Sequence, residues 1–150
     1  MVTVIFSLGS NVGNREHHLE QARAGLQDFL IDFKASRVIE TAPQYVMDQP
    51  AFLNQVVMGN TNIAPVEIVV LTKALQQKIG RTKTFQNGPR EIDIDMLYYD
   101  DLVIDMDDLV VPHPRLAERL FVLEPLCELA PDWVCPITHK SVQVMLDEFV

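Results

Sequence analysis

Two aspartates separated by a single residue, in Ile92-Asp93-Ile94-Asp95-Met96, are the pair in this chain best suited to chemistry. Strand alternation would place Ile92, Ile94 and Met96 on one face and both carboxylates on the other, about 7 Å apart. Aspartate is disfavoured in strands, and two like charges on one face repel. A compensating cation is therefore expected. Hard carboxylate oxygens suit Mg²⁺, which takes one or two carboxylates and completes its shell with substrate phosphates. Two such ions could share the pair and clamp an in-line displacement at phosphorus. Taken alone, a solvated strand face accounts for the pair equally well.

The charge around the pair favours phosphate. The chain has 12 Lys and Arg against 21 Asp and Glu, a formal net charge of −9. Eight of those acids lie between Glu91 and Asp108, with no base among them. Immediately upstream, from Ile68 to Arg90, stand five bases (Lys73, Lys78, Arg81, Lys83 and Arg90) and no acid. Arg81, Lys83 and Arg90 flank a stretch ending in Gly88-Pro89, where they could meet the charge a metal-bound polyphosphate keeps. Lys78 and Arg81 also suit a helix C-terminus. No GxxxxGK[ST] loop and no GxGxxG occurs. So acidic a chain is a poor candidate for nucleic acid or an anionic membrane. Cys127 and Cys135 form no CxxC pair, which implies neither a zinc site nor a disulfide framework.

These residues must be carried on a folded frame. At 150 residues and 48% hydrophobic, the chain suits one domain, 1–150, with a real core. Val2 to Leu8 reads as a first strand; it is too short for a signal peptide, and no apolar run reaches membrane length. Leu19, Ala22, Leu26, Phe29 and Leu30 have helical spacing over 14–32. Lys34 to Thr41 reads as a second strand, 42–51 as a loop and Phe52 to Thr61 as a third strand. Pro65 opens a helix that Gly80 stops. Thr82 to Pro89 reads as a flexible loop. Ile92 to Tyr99 is a strand, with Leu102 to Ile104 as its short partner. Helices follow from Arg115 to Leu129, in two pieces, and over Val142 to Phe149. The order βαββαβ predicts an α+β, ferredoxin-like sandwich: an antiparallel sheet with helices packed on it.

Four segments in register resemble one family, the 6-hydroxymethyl-7,8-dihydropterin pyrophosphokinases. Gly88-Pro89-Arg90-Glu91-Ile92-Asp93-Ile94-Asp95-Met96-Leu97 is similar to their signature. Leu8 to Arg15 is similar to their LGSNxGxR segment, Gln49 to Val56 to QPxFLNxV, and Val111 to Arg115 to VPHPR. The resemblance, over residues 2 to about 130, implies transfer of the β,γ-pyrophosphoryl group of ATP to the pterin hydroxymethyl oxygen, in folate biosynthesis. It implies that Asp93 and Asp95 hold two Mg²⁺. Arg81 and Arg90 join them as catalytic residues, and with Lys83, His113 and Arg119 they would meet ATP. Asn54 would hydrogen-bond the pterin edge, with Phe121 stacked on the ring and Phe52 supporting it. Groups at Thr41, Ala42 and Gln44 would complete the pocket.

Three positions depart from that pattern: Asn87 for an aromatic residue, Gln86 for a basic one and Gln76 for Glu. They bear on loop closure and turnover and leave the aspartates intact. Read from the residues alone, Asn54 is a capping or turn residue, and Phe52 and Phe121 are core aromatics. Two other classes fit the aspartate pair: a nucleotide- or ligand-sensing module, and a metal-dependent phosphoesterase. The expected setting is a cytoplasmic monomer acting on small molecules.

Overall fold

In the computed structural model the described residues are 1–42, 50–80 and 91–149. The strands are β1 (Val2–Ser10), β2 (Ile31–Ala35), β3 (Ile39–Thr41), β4 (Phe52–Thr61), β5 (Asp93–Tyr99), β6 (Ile104–Met106) and β7 (Leu109–Val111). The helices are α1 (Arg15–Gln27), α2 (Pro65–Ile79), α3 (Leu120–Leu129) and α4 (Val142–Asp147), with a 3₁₀ turn at Leu116–Glu118. The main sheet runs β2-β4-β1-β5, all antiparallel, and β3 pairs with β4 beyond β2. Counting β2 and β3 as one interrupted edge, this is the expected ferredoxin-like order.

Period-2 alternation builds a core on each side of the sheet. Val4, Phe6 and Leu8 of β1, with Ile94 and Met96 of β5, pack against Leu19, Ala22 and Leu26 of α1 and Ile68 of α2. Ile5, Val56 and Leu97 face the other way, onto Val122, Leu123 and Leu126 of α3 and Val142 and Met145 of α4. A bulge between Ile5 and Phe6 leaves Leu97 as the extra residue, so Leu97 and Tyr98 both join the second core. Helix α2 begins at Pro65 and ends at Gly80, whose φ of 113° only glycine adopts without strain. No helix among the described residues is long and apolar enough to cross a membrane.

Several boundaries differ from the sequence reading. The first helix stops at Gln27, because Ile31 must pair with Asn60 and its chain turns back at Asp28. The second strand is two strands. Ser36 breaks it by giving its N–H to Val56 O at 2.9 Å and taking the Val56 N–H on its hydroxyl at 3.0 Å. The short strand after Tyr99 does not pair with β5. It lies at 104–106 and pairs with β7 in a separate two-stranded sheet. The last helix ends at Asp147, and β5 begins at Asp93 rather than Ile92. Both cysteines are free thiols.

Candidate active site

Register, rather than proximity in sequence, assembles the site. Gly9 of β1 stands opposite Asn54 of β4 on one side and opposite Asp93 of β5 on the other. Residues paired across an antiparallel sheet share a face, so Asn54, Gly9 and Asp93 form one row across three strands. At about 4.8 Å per strand, Asn54 and Asp93 stand about 10 Å apart with only a glycine hydrogen between them. In the next row Asp95 stands opposite Ser7. A Cβ at Gly9 would lie 3.4 Å from Asn54 Oδ1 and 3.6 Å from the Phe52 ring, so Gly9 floors a trough whose walls lean over it.

The aspartates take the face the alternation predicted. Ile92, Ile94 and Met96 are buried, whereas Asp93 and Asp95 are partly exposed. Two carboxylates are a donor set that fits Mg²⁺, which leaves most of its shell to phosphate and water. Among the described residues no cluster of three or more His, Cys, Asp or Glu could hold a metal by itself.

Thr41, Phe52 and Asn54 come together at the same end of the sheet. Thr41 pairs with Phe52, and the Asn54 side-chain amide donates to the Thr41 hydroxyl at 2.6 Å. That bond orients a side chain that is only 7% exposed, and leaves Asn54 a second N–H and its carbonyl for a ligand. Asn54 is thus neither a cap nor a turn residue. Phe121 joins from the first turn of α3 on the same side of the sheet and packs at the margin of its core. The Arg119 guanidinium lies 5.7 Å from its ring centroid. Ala42 is exposed at the end of β3. Gln44, Arg81, Lys83 and Arg90, with Gln86 and Asn87, lie outside the described residues.

His113 sits along β5, its N–H donating to Leu97 O at 2.9 Å. Its Nδ1 accepts the Arg115 N–H at 3.2 Å, which leaves the proton on Nε2. Burial first, then the charges of Arg119 and Arg115, push its pKa down from 6.5 to about 4. The neutral ring is therefore the native form at pH 7. Because the folded value lies below the unfolded one, the stability this gives is complete above about pH 6.5 and lost as pH falls towards 4. NMR of the His113 ring protons is expected to show no titration between about pH 5.5 and 8. A midpoint near 6.5 would contradict this.

One departure from the family pattern gains a positioning role in the structure. Gln76 of α2 is 7% exposed, and its Oε1 accepts the Ile94 N–H at 2.9 Å. Ile94 lies between the two aspartates, so Gln76 holds β5 to α2 at that point. The amide supplies the acceptor that a carboxylate there would supply, and without adding a third negative charge. A signal was present: Ile68, Thr72 and Gln76 form a buried stripe at four-residue spacing.

Residues 5–131 match the profile of a family described as 7,8-dihydro-6-hydroxymethylpterin-pyrophosphokinase (HPPK). The chain is 41% identical over 143 residues to the 2-amino-4-hydroxy-6-hydroxymethyldihydropteridine pyrophosphokinase of Aquifex aeolicus, covering 95% of this chain and 89% of that one. It is 42% identical over 125 residues to the protein of the same name from Bacillus subtilis, covering 82% and 75%. It is 39% identical to the folic acid synthesis protein fol1 of Schizosaccharomyces pombe, covering 95% of this chain and 20% of the relative. Against that protein and those of Pneumocystis carinii and Dictyostelium discoideum, the chain spans only about a fifth of the relative's length. The fold is similar to that of part of the HPPK-DHPS of Plasmodium falciparum, at a TM-score of 0.80 and 14% identity, covering 98% of this chain and 45% of that one.

Proposed function

The chain belongs to the 7,8-dihydro-6-hydroxymethylpterin-pyrophosphokinase family, and on that premise we propose that it transfers the pyrophosphoryl group of ATP to 6-hydroxymethyl-7,8-dihydropterin. The observation that carries this reading is the row Asn54–Gly9–Asp93, which separates an amide-bearing pocket from a carboxylate pair by about 10 Å. A flat heterocycle with an amide edge fits one end, and a metal-bound phosphate chain fits the other.

The pterin hydroxymethyl oxygen attacks the β-phosphorus of ATP. The bond from that phosphorus to the α,β-bridging oxygen breaks, and AMP leaves with the bridging oxygen. The hydroxymethyl proton is released to solvent. Asp93 and Asp95 would hold two Mg²⁺, whose charge offsets that of the transferring phosphates. Asn54 presents its amide to the pterin edge, and Phe52 and Phe121 flank the ring. The His113 Nε2–H donates to a phosphate oxygen without changing charge. Arg81, Lys83, Arg90 and Arg119 contribute cations to the same chain. No side chain in this set is a general base, so catalysis rests on positioning and charge neutralisation, as is common for phosphoryl transfer.

We read the chain as one domain that acts as a monomer in the cytoplasm. The one-domain reading is supported by a main sheet whose strands contribute to both apolar cores. Phosphorus NMR of the protein with Mg-ATP and the hydroxymethyldihydropterin tests the activity. AMP and a pterin diphosphate are expected. ADP or inorganic phosphate would point to hydrolysis, and an unchanged spectrum to a sensing module; either overturns the proposal.

A further inference from the structure

The Leu8–Arg15 segment contributes Gly9 to the trough and ends on Arg15, the first residue of α1. An arginine at the start of a helix, in a protein that handles ATP, invites a phosphate-binding role. The geometry points elsewhere. Arg15 Nη1 lies 2.8 Å from Glu40 Oε2 and 2.9 Å from Ala51 O. Glu40 precedes Thr41 at the end of β3, and Ala51 precedes Phe52 at the start of β4. One guanidinium nitrogen therefore ties together the two strand ends that carry the pocket. Asn11, 1% exposed, donates its side-chain amide to Pro50 O at 3.1 Å, so two successive carbonyls ahead of Phe52 are held from one side.

That side is the rear. Helix α1 packs on the sheet face lined by Phe6 and Leu8, the face opposite Asn54. Arg23, farther along α1, reaches β4 the same way, donating to Gln55 Oε1 at 2.7 Å. We infer that Arg15 is a positioning residue for the pterin end of the site: it braces the Thr41–Phe52 pair, and through it the Thr41–Asn54 bond, and meets no phosphate. The inference rests on the proposed activity and deepens it.

An exposed ion pair contributes little to stability. Its geometric effect is larger, because the Ala51–Phe52 peptide sets the direction of the Phe52 ring. Arginine can split two donors from one nitrogen between a carboxylate and a carbonyl; a lysine ammonium offers three donors on a looser stem.

The test uses the intact chain with Arg15→Gln, Arg15→Lys and Glu40→Gln. For Arg15→Gln the KM for the pterin is expected to rise about tenfold, with kcat and the KM for ATP within about twofold of the parent. Arg15→Lys recovers most of the loss, and Glu40→Gln shows a smaller rise. Amide hydrogen exchange at Phe52 and Asn54 accelerates in Arg15→Gln while that of β1 and β5 stays unchanged, a readout that does not depend on turnover. An active parent whose Arg15→Gln variant keeps its pterin KM, or loses ATP affinity equally, overturns the clasp alone. A parent that makes no pterin diphosphate overturns the activity and this inference with it.

Discussion

Asp95→Ala is expected to lower turnover by about a thousandfold with little change in thermal midpoint. The size follows from the charge to be offset. A divalent ion on the transferring phosphates supplies several kcal/mol of transition-state stabilisation, and each 1.36 kcal/mol is about tenfold in rate. Asp95 is one of two carboxylates on the β5 face and stands opposite Ser7 in mid-strand. The fold should tolerate its loss. The variant relieves repulsion between like charges about 7 Å apart and removes a residue that strands disfavour. Ile94 and Met96 keep their packing. Mn²⁺ binding followed by electron paramagnetic resonance should weaken in parallel, independently of turnover. Near-normal kcat, or undiminished Mn²⁺ binding, would defeat the assignment of Asp95 to metal.

Asn54→Ala should strike the other end of the row. The KM for the pterin is expected to rise about a hundredfold, while the KM for ATP changes little. A site built to hydrogen-bond a polar edge discriminates strongly, because removing the amide leaves buried ligand groups unpaired. Some cost falls on the fold, since the Thr41 hydroxyl loses its 2.6 Å donor; roughly 1 kcal/mol is expected, read from the denaturation midpoint. Thr41→Val separates the two effects. It keeps the Asn54 amide but frees it to rotate, and a rise of about tenfold is expected. An Asn54→Ala variant that keeps its pterin KM would show that this amide does not read the substrate.

Much of the frame was legible because it is written in short-range patterns. The strand at Phe52–Thr61 and the helix from Pro65 to Gly80 were read with their true ends; for the helix, an N1 proline and a C-terminal glycine are local signals. The face carrying Asp93 and Asp95 followed from period 2. Where pairing partners decide, local reading failed. Helical spacing ran on to residue 32, but Ile31 is claimed by Asn60. Residues 34–41 looked like one extended strand, but Ser36 interrupts it to satisfy Val56. The partner expected for β5 belongs to a separate hairpin.

The site divides the same way. By itself the sequence determined the fold class, the aspartate pair with its face, and the residues that mark the family, because each depends on residue type and spacing within about ten positions. Only the tertiary structure decided that Gly9 stands between Asn54 and Asp93, that Gln76 holds the strand between the aspartates, and that Arg15 ties Glu40 of β3 to Ala51 at the start of β4. These arrangements are hydrogen bonds and register between residues 18, 36 and 45 positions apart. No local period encodes such partners. They are set when the sheet pairs and the helices dock, and every buried donor and acceptor must then find a counterpart.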